Sequence, residues 1–174
     1  MKTNPSFKVG LESMGFKALG TVGELQQTGI LKDTLQSPGV YAITCSKGFE
    51  HSFIPLEETR TLNNVIHPWT HEKLEAKWVD GVETLYFGKA QEQSLNRRLS
   101  QLLRHSLGLT TKKGPHNGGE IIWQLKGYES FHILYLPAET PVQAAKIEND
   151  LISEFRIING KLPFGNRNEP GRQR

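Results

Sequence analysis

One cysteine, Cys45, stands in a chain of 174 residues. No intramolecular disulfide and no cysteine-based zinc site can be built from it, and a reducing compartment is expected. No stretch approaches the ~18 apolar residues needed to span a bilayer. The opening Met1-Lys2-Thr3-Asn4-Pro5-Ser6-Phe7-Lys8 lacks the apolar run of a signal peptide. These absences predict a cytoplasmic protein without a membrane partner. Charge of one sign is also scarce: the formal balance of +3 is too small to argue for nucleic acid by itself. Apolar residues make up only 36% of the chain, enough for one core and so for one domain with an added arm.

The charge is unevenly placed. Lys89, Arg97, Arg98, Arg104, Lys112 and Lys113 face the single acid Glu92 within residues 89–113. Between Gly48 and Thr84 the acids Glu50, Glu57, Glu58, Glu72, Glu75, Asp80 and Glu83 outnumber Arg60, Lys73 and Lys77. The last stretch adds Arg156, Lys161, Arg167, Arg172 and Arg174. A basic working half therefore sits beside an acidic flank, although a solvated helix face and a solubilising loop would give the same pattern.

Residues 1–37 read as an N-terminal arm, with a weak helix over Val22 to Leu35 because of its glycines. Pro38-Gly39 breaks the chain and launches a strand over Val40 to Cys45. Residues 46–83 form an irregular insertion, ending in an expected strand and turn over Lys77 to Val82. Within it, His67 and His71 are four apart, but Pro68 and the absence of a third ligand argue against a metal site. Leu85 to Phe87 is the next strand. The helix that follows starts at the N-cap Ser94 and stops at Gly108, with Leu95, Leu99, Leu102, Leu103 and Leu107 as its apolar stripe. Residues 109–119 are a loop, and Glu120 to Leu125 is too short to divide between helix and strand. Phe131 to Leu136 is a strand. A last helix runs from Pro141 to about Arg156, with Thr140 as N-cap, proline in the first turn and Gln143 completing a capping box.

Helical phase separates two polar residues from their neighbours. At ~100° per residue Arg98 lies about 40° from Leu102, at the edge of the apolar stripe, whereas Arg97 and Arg104 point into solvent. An arginine there can cover apolar surface with its stem or present its head beside the core. Glu148 falls inside the stripe of Ala144, Ile147, Leu151, Ile152 and Phe155. A carboxylate so placed is costly without a partner, which predicts a metal, an arginine or a cleft beside it.

In order along the chain, Gly39-Val40-Tyr41, Tyr86-Phe87-Gly88-Lys89, Leu95-Asn96-Arg97-Arg98-Leu99, Ile147-Glu148-Asn149-Asp150-Leu151-Ile152 and Pro163-Phe164-Gly165-Asn166 resemble the motifs of the GIY-YIG nuclease superfamily. The resemblance covers residues 38–168, with the 46–83 insertion between the tyrosine motifs as in some restriction-endonuclease members, and leaves 169–174 as a basic tail. It implies an α+β fold with a small central antiparallel sheet of about three strands flanked by helices. The implied activity is metal-dependent hydrolysis of DNA phosphodiester bonds, with Mg²⁺ or Mn²⁺ on the single carboxylate of Glu148.

The roles the resemblance implies are as follows. Tyr41 is the general base on water, Tyr86 orients the water or phosphate, Lys89 or the metal lowers the tyrosine pKa, and Arg98 grips the scissile phosphate. Asn166 fixes Glu148 or the backbone, with Asn159 as the alternative. Members of the family carry a polar residue one turn after the arginine; Leu102 stands there, leaving His105 or His116 to substitute. Arg104, Lys112, Lys113, His116 and Arg167 are the expected contacts to DNA, salt-dependent in their effect. A homodimer would fit paired cuts in a duplex. The alternative is a nucleic-acid-binding module that does not cleave, and a third reading, chance matches in an unrelated α/β domain, predicts that Tyr41, Tyr86, Arg98 and Glu148 do not converge.

Overall fold

The computed structural model describes residues 7–30, 35–58, 68–109 and 119–168. Its helices are α1 (Phe7–Ser13), α2 (Val22–Thr28), α3 (His71–Lys77), α4 (Leu95–Ser106), α5 (Gly119–Ile122) and α6 (Pro141–Asn159). Its strands are β1 (Lys17–Thr21), β2 (Gly39–Thr44), β3 (Thr84–Ala90) and β4 (His132–Pro137). They form one antiparallel sheet in the order β1-β4-β2-β3. Among the described residues no helix is long and apolar enough to cross a membrane.

The sheet has four strands where about three were expected, because the N-terminal arm supplies β1 as an edge strand paired with β4. Two glycines of the arm shape this strand. Gly15 (φ 94°) turns the chain out of α1, and Gly20 (φ 151°) lies at the irregularity in the β1–β4 pairing. The expected helix in the arm is correspondingly shorter, ending at Thr28 before Gly29 (φ 69°). A second departure concerns Lys77 to Val82, expected as a strand and turn, of which the structure has the turn but no strand. Lys77 closes α3, whose N-cap Thr70 accepts from the Lys73 N–H, and a turn through Gly81 (φ 72°) then leads to β3.

Every residue of β2 is buried, because helices cover both faces of the sheet. On one face Tyr41, Ile43 and Tyr86 pack with Leu95, Leu99, Leu102 and Leu103 of α4. On the other, Val40, Ala42 and Phe87 pack with Ala144, Leu151, Ile152 and Phe155 of α6. A strand buried on both faces reads as a continuous apolar run, which is why Val40 to Ile43 lacks alternation. The α4 stripe holds except at its end, where Leu107 follows the last turn and is 43% exposed. In α6, Thr140 caps the Gln143 N–H, but the Gln143 side chain accepts from Glu139, one residue before the cap.

The outer edge of β3 is closed by the segment after α6. Gly165 donates to the Leu85 carbonyl. Asn166 then makes a two-point contact with Phe87: Oδ1 accepts from its N–H at 3.0 Å and Nδ2 donates to its carbonyl at 2.9 Å. A single side chain thus imitates a neighbouring strand and blunts the edge. Asn166→Ala removes both bonds at a buried position. It is expected to lower unfolding free energy by about 2 kcal/mol in urea denaturation, the cost of two net hydrogen bonds.

Candidate functional site

β2 and β3 set the two tyrosines side by side. Tyr41 pairs with Gly88 in the ladder, and Ile43 pairs with Tyr86. The rings of Tyr41 and Tyr86 lie 5.9 Å apart between centroids, tilted by 54°. Gly88 makes this arrangement possible. A Cβ at that position would sit 2.4 Å from Tyr41 Cζ, 2.5 Å from its hydroxyl oxygen and 2.8 Å from Tyr86 Cε1. Gly165 supports the other side: a Cβ there would lie 2.9 Å from Tyr86 Cδ2 and 3.0 Å from Ile122.

Arg98 reaches the tyrosines from α4, half-buried where its neighbours Arg97 and Arg104 are exposed. The Tyr41 hydroxyl is buried beside Tyr86 and Arg98 without a well-aligned hydrogen bond to either. Burial pushes its pKa above 10.0, and the Arg98 charge is the first influence pulling it back. Tyr86 is pushed well above 10.0, by burial first and then by the Tyr41 and Glu148 charges, with Arg98 again opposing.

Glu148 enters from α6. Its Oε2 accepts from Lys89 Nζ at 2.6 Å, with the Glu148 side chain only 13% exposed. The apolar stripe around it therefore holds an ion pair, and the partner is a lysine where an arginine, a metal or a cleft was expected. Burial raises the Glu148 pKa above 4.5, and Lys89 and then Arg98 lower it against that trend. Glu148 and Arg98 thus both act on both tyrosines, and Arg98 acts on Glu148. Tyr41, Tyr86, Lys89, Arg98 and Glu148, spread over β2, β3, α4 and α6, form one electrostatically connected cluster.

The cation acting on Tyr41 is Arg98, while Lys89 is engaged by Glu148. Asn166 serves the backbone of β3. Asn159 donates to the Phe155 carbonyl at the end of α6 and belongs to that helix terminus. His105 is buried two turns along α4 from Arg98, about 10.5 Å by helix rise. Its Nδ1 accepts from Trp123 Nε1 at 3.1 Å. Its pKa is lowered by burial, raised by Glu120 and lowered again by Arg167, so it sits in a neighbouring cluster rather than with the tyrosines. Arg167 pairs with Glu120 at 3.0 Å. Lys112, Lys113, His116 and His67 lie outside the described residues, and His71 bonds the Ile54 carbonyl through Nε2 at 3.0 Å.

Two residues near the site carry no signal in the sequence. Lys77 ends α3 in an acidic stretch, yet its ammonium reaches the Asn166 carbonyl at 2.8 Å. Glu120 lies in a segment too short to assign, yet it anchors Arg167. Only the long-range packing of the insertion and the last segment brings them in.

A divalent ion at this site would have one protein carboxylate. Among the described residues no group of three or more His, Cys, Asp or Glu side chains could hold a metal. The residues present therefore do not fit an all-protein cage. They do fit an ion such as Mg²⁺, which keeps most of its waters and takes one carboxylate together with substrate phosphate. Glu148 is the residue that would hold it, and Lys89 already shows that its carboxylate attracts a cation.

Two expectations follow. Gly88→Ala forces Tyr41 or the strand to move and should cost about 1–3 kcal/mol in urea denaturation, the usual range for overpacking. The Glu148 charge gives a pH signature. Its folded pKa is raised, so its favourable contribution is complete below pH 4.5 and is lost as pH rises through the folded value. The stability of the wild type relative to Glu148→Gln should therefore fall as pH rises from 4.5 toward neutrality, measured by parallel urea titrations; a rise over that range would contradict the assignment. Comparison with protein-family models, curated proteins and solved structures finds no match to this chain.

Proposed function

We propose that the chain is a metal-dependent endonuclease that hydrolyses DNA phosphodiester bonds. The observation that carries this reading is the convergence of Tyr41, Tyr86, Arg98 and Glu148, which the competing chance-match reading predicts to be scattered. Phosphodiester hydrolysis needs an activated water, neutralised phosphate charge and a stabilised leaving oxygen. Arg98 supplies a planar, permanently charged fork for the scissile phosphate, held by α4 beside the core. The ionised form of Tyr41 takes the proton of the attacking water, Tyr86 orients the water against the phosphorus, and the P–O bond to the departing sugar oxygen breaks as that oxygen takes up a proton from solvent. Lys89 favours the ionised form of Glu148 against the burial that raises its pKa. Mg²⁺ or Mn²⁺ on Glu148 would supply the positive charge that neutralises the phosphate and favours tyrosine ionisation.

One observation favours the runner-up, a nucleic-acid-binding module that does not cleave. Burial keeps both tyrosines protonated well past neutrality, and Lys89 already occupies the Glu148 carboxylate. The raised tyrosine pKa makes alkaline activation the signature of the cleaving enzyme: as pH rises toward Tyr41 ionisation, more of the base form is present. Supercoiled plasmid incubated with Mg²⁺ or Mn²⁺ separates the two readings. Nicking is expected, increasing with pH above neutrality. It should fall by about a hundredfold or more in Arg98→Lys and Glu148→Ala, the scale of losing one transition-state contact. Salt-sensitive binding with no nicking at any metal concentration would favour the runner-up, and undiminished cleavage by Glu148→Ala would remove the assigned metal ligand.

A further inference from the structure

Beside Tyr86 lies a second concentration of positive charge. Arg167 sits two residues beyond Gly165, the glycine that abuts the Tyr86 ring, so its Cα is within about 7 Å of that glycine. Its guanidinium lies 5.1 Å from the centroid of the Trp69 ring, and Lys77 Nζ lies 6.0 Å from the same centroid. Two cations therefore share one aromatic ring. Each repels the other, and the Lys77 pKa is lowered by burial and then by the Arg167 charge. Among the described residues one acid is paired with them: Glu120 pairs with Arg167, while Lys77 donates to a neutral carbonyl. Arg167 Nε is buried with no hydrogen-bond partner.

The frame that holds this arrangement is stiff. The Gln124 amide clamps the backbone of Trp69 from both sides, accepting from its N–H at 2.9 Å and donating to its carbonyl at 2.9 Å. Asn166, next to Arg167, is tied to β3. Holding two like charges together in a partly dry setting is unfavourable unless an anion is meant to join them.

We propose that Lys77 and Arg167, mounted on Trp69, form a second phosphate subsite that grips the DNA strand one or a few nucleotides from the scissile phosphate at Arg98. The proposal rests on the nuclease reading for the identity of the ligand. The phosphate bridges the Lys77 ammonium and the Arg167 guanidinium, relieving their repulsion. Trp69 supports both cations and reports on their occupancy. The 68–77 part of the insertion thereby becomes part of the substrate cleft, and the long spacing between the tyrosine motifs has a use.

The test measures binding of a fluorescein-labelled DNA duplex to the full chain carrying Glu148→Gln, across a salt series without divalent metal. Adding Lys77→Gln and Arg167→Gln together should weaken binding and make the slope of log K against log salt shallower by about 0.9 for the one phosphate lost. Lys77→Gln alone leaves the Arg167–Glu120 pair in place and covers the case in which the double variant does not fold; it should weaken binding in the same direction. Duplex addition should also change tryptophan emission, and Trp69→Phe should abolish that change, since Trp78 and Trp123 are buried. An unchanged slope in a folded variant, or no binding by the parent, overturns the subsite. Plasmid nicking by the wild type, read separately, decides the nuclease reading: a shallower slope without nicking leaves the subsite standing and removes the nuclease, and nicking with an unchanged slope does the reverse.

Discussion

The structure depends on one buried charge. Glu148 sits among the apolar residues of α6, and that position is tolerable only because Lys89 on β3 meets it at 2.6 Å. A buried ion pair is seldom a gain in stability over apolar residues of the same size. Its worth lies in what it positions. It fastens α6 to β3, and it brings a carboxylate within electrostatic reach of Arg98 and both tyrosines. The rest of the fold arranges groups around this pair: α4 delivers Arg98, β2 delivers Tyr41, and Asn166 locks the edge of β3 from which Lys89 and Tyr86 extend.

Small residues matter here as much as charged ones. Tyr41 and Tyr86 can share one buried space only because Gly88 and Gly165 carry no Cβ. Gly39 has a similar role at the start of β2, where a Cβ would stand 2.5 Å from the Leu136 carbonyl and 2.6 Å from Leu95. The glycines of the tyrosine motifs are thus steric requirements of a crowded sheet packed on α4, and not sources of flexibility.

What the sequence makes legible is local and periodic. Ser94 and Thr140 cap their helices as their side chains predict, and helical phase alone separates Arg98 from the exposed Arg97 and Arg104. Phase also marks Glu148 as needing a partner, but it cannot choose among a metal, an arginine and a lysine. What escapes is non-local. β1 is a five-residue edge strand with two glycines in or beside it, and nothing before β4 is in place declares it a strand. Lys77 and Glu120 reach the site through contacts with Asn166 and Arg167, 89 and 47 residues away. His105 shows the converse: its helix position suggests a site residue, and Trp123, in the turn after α5, holds it in a different cluster.

The proposed chemistry turns on Tyr41, whose proton burial retains and Arg98 loosens. A tyrosine so placed could act on water or attack phosphorus itself, and the two routes leave different products. Cleavage of a labelled duplex in ¹⁸O-water, under single-turnover conditions with Mn²⁺ or Mg²⁺, tells them apart. Attack by water activated at Tyr41 predicts one ¹⁸O atom in the newly formed terminal phosphate and no protein–DNA adduct. A covalent adduct on Tyr41, or intact DNA after prolonged incubation with metal, would contradict the account.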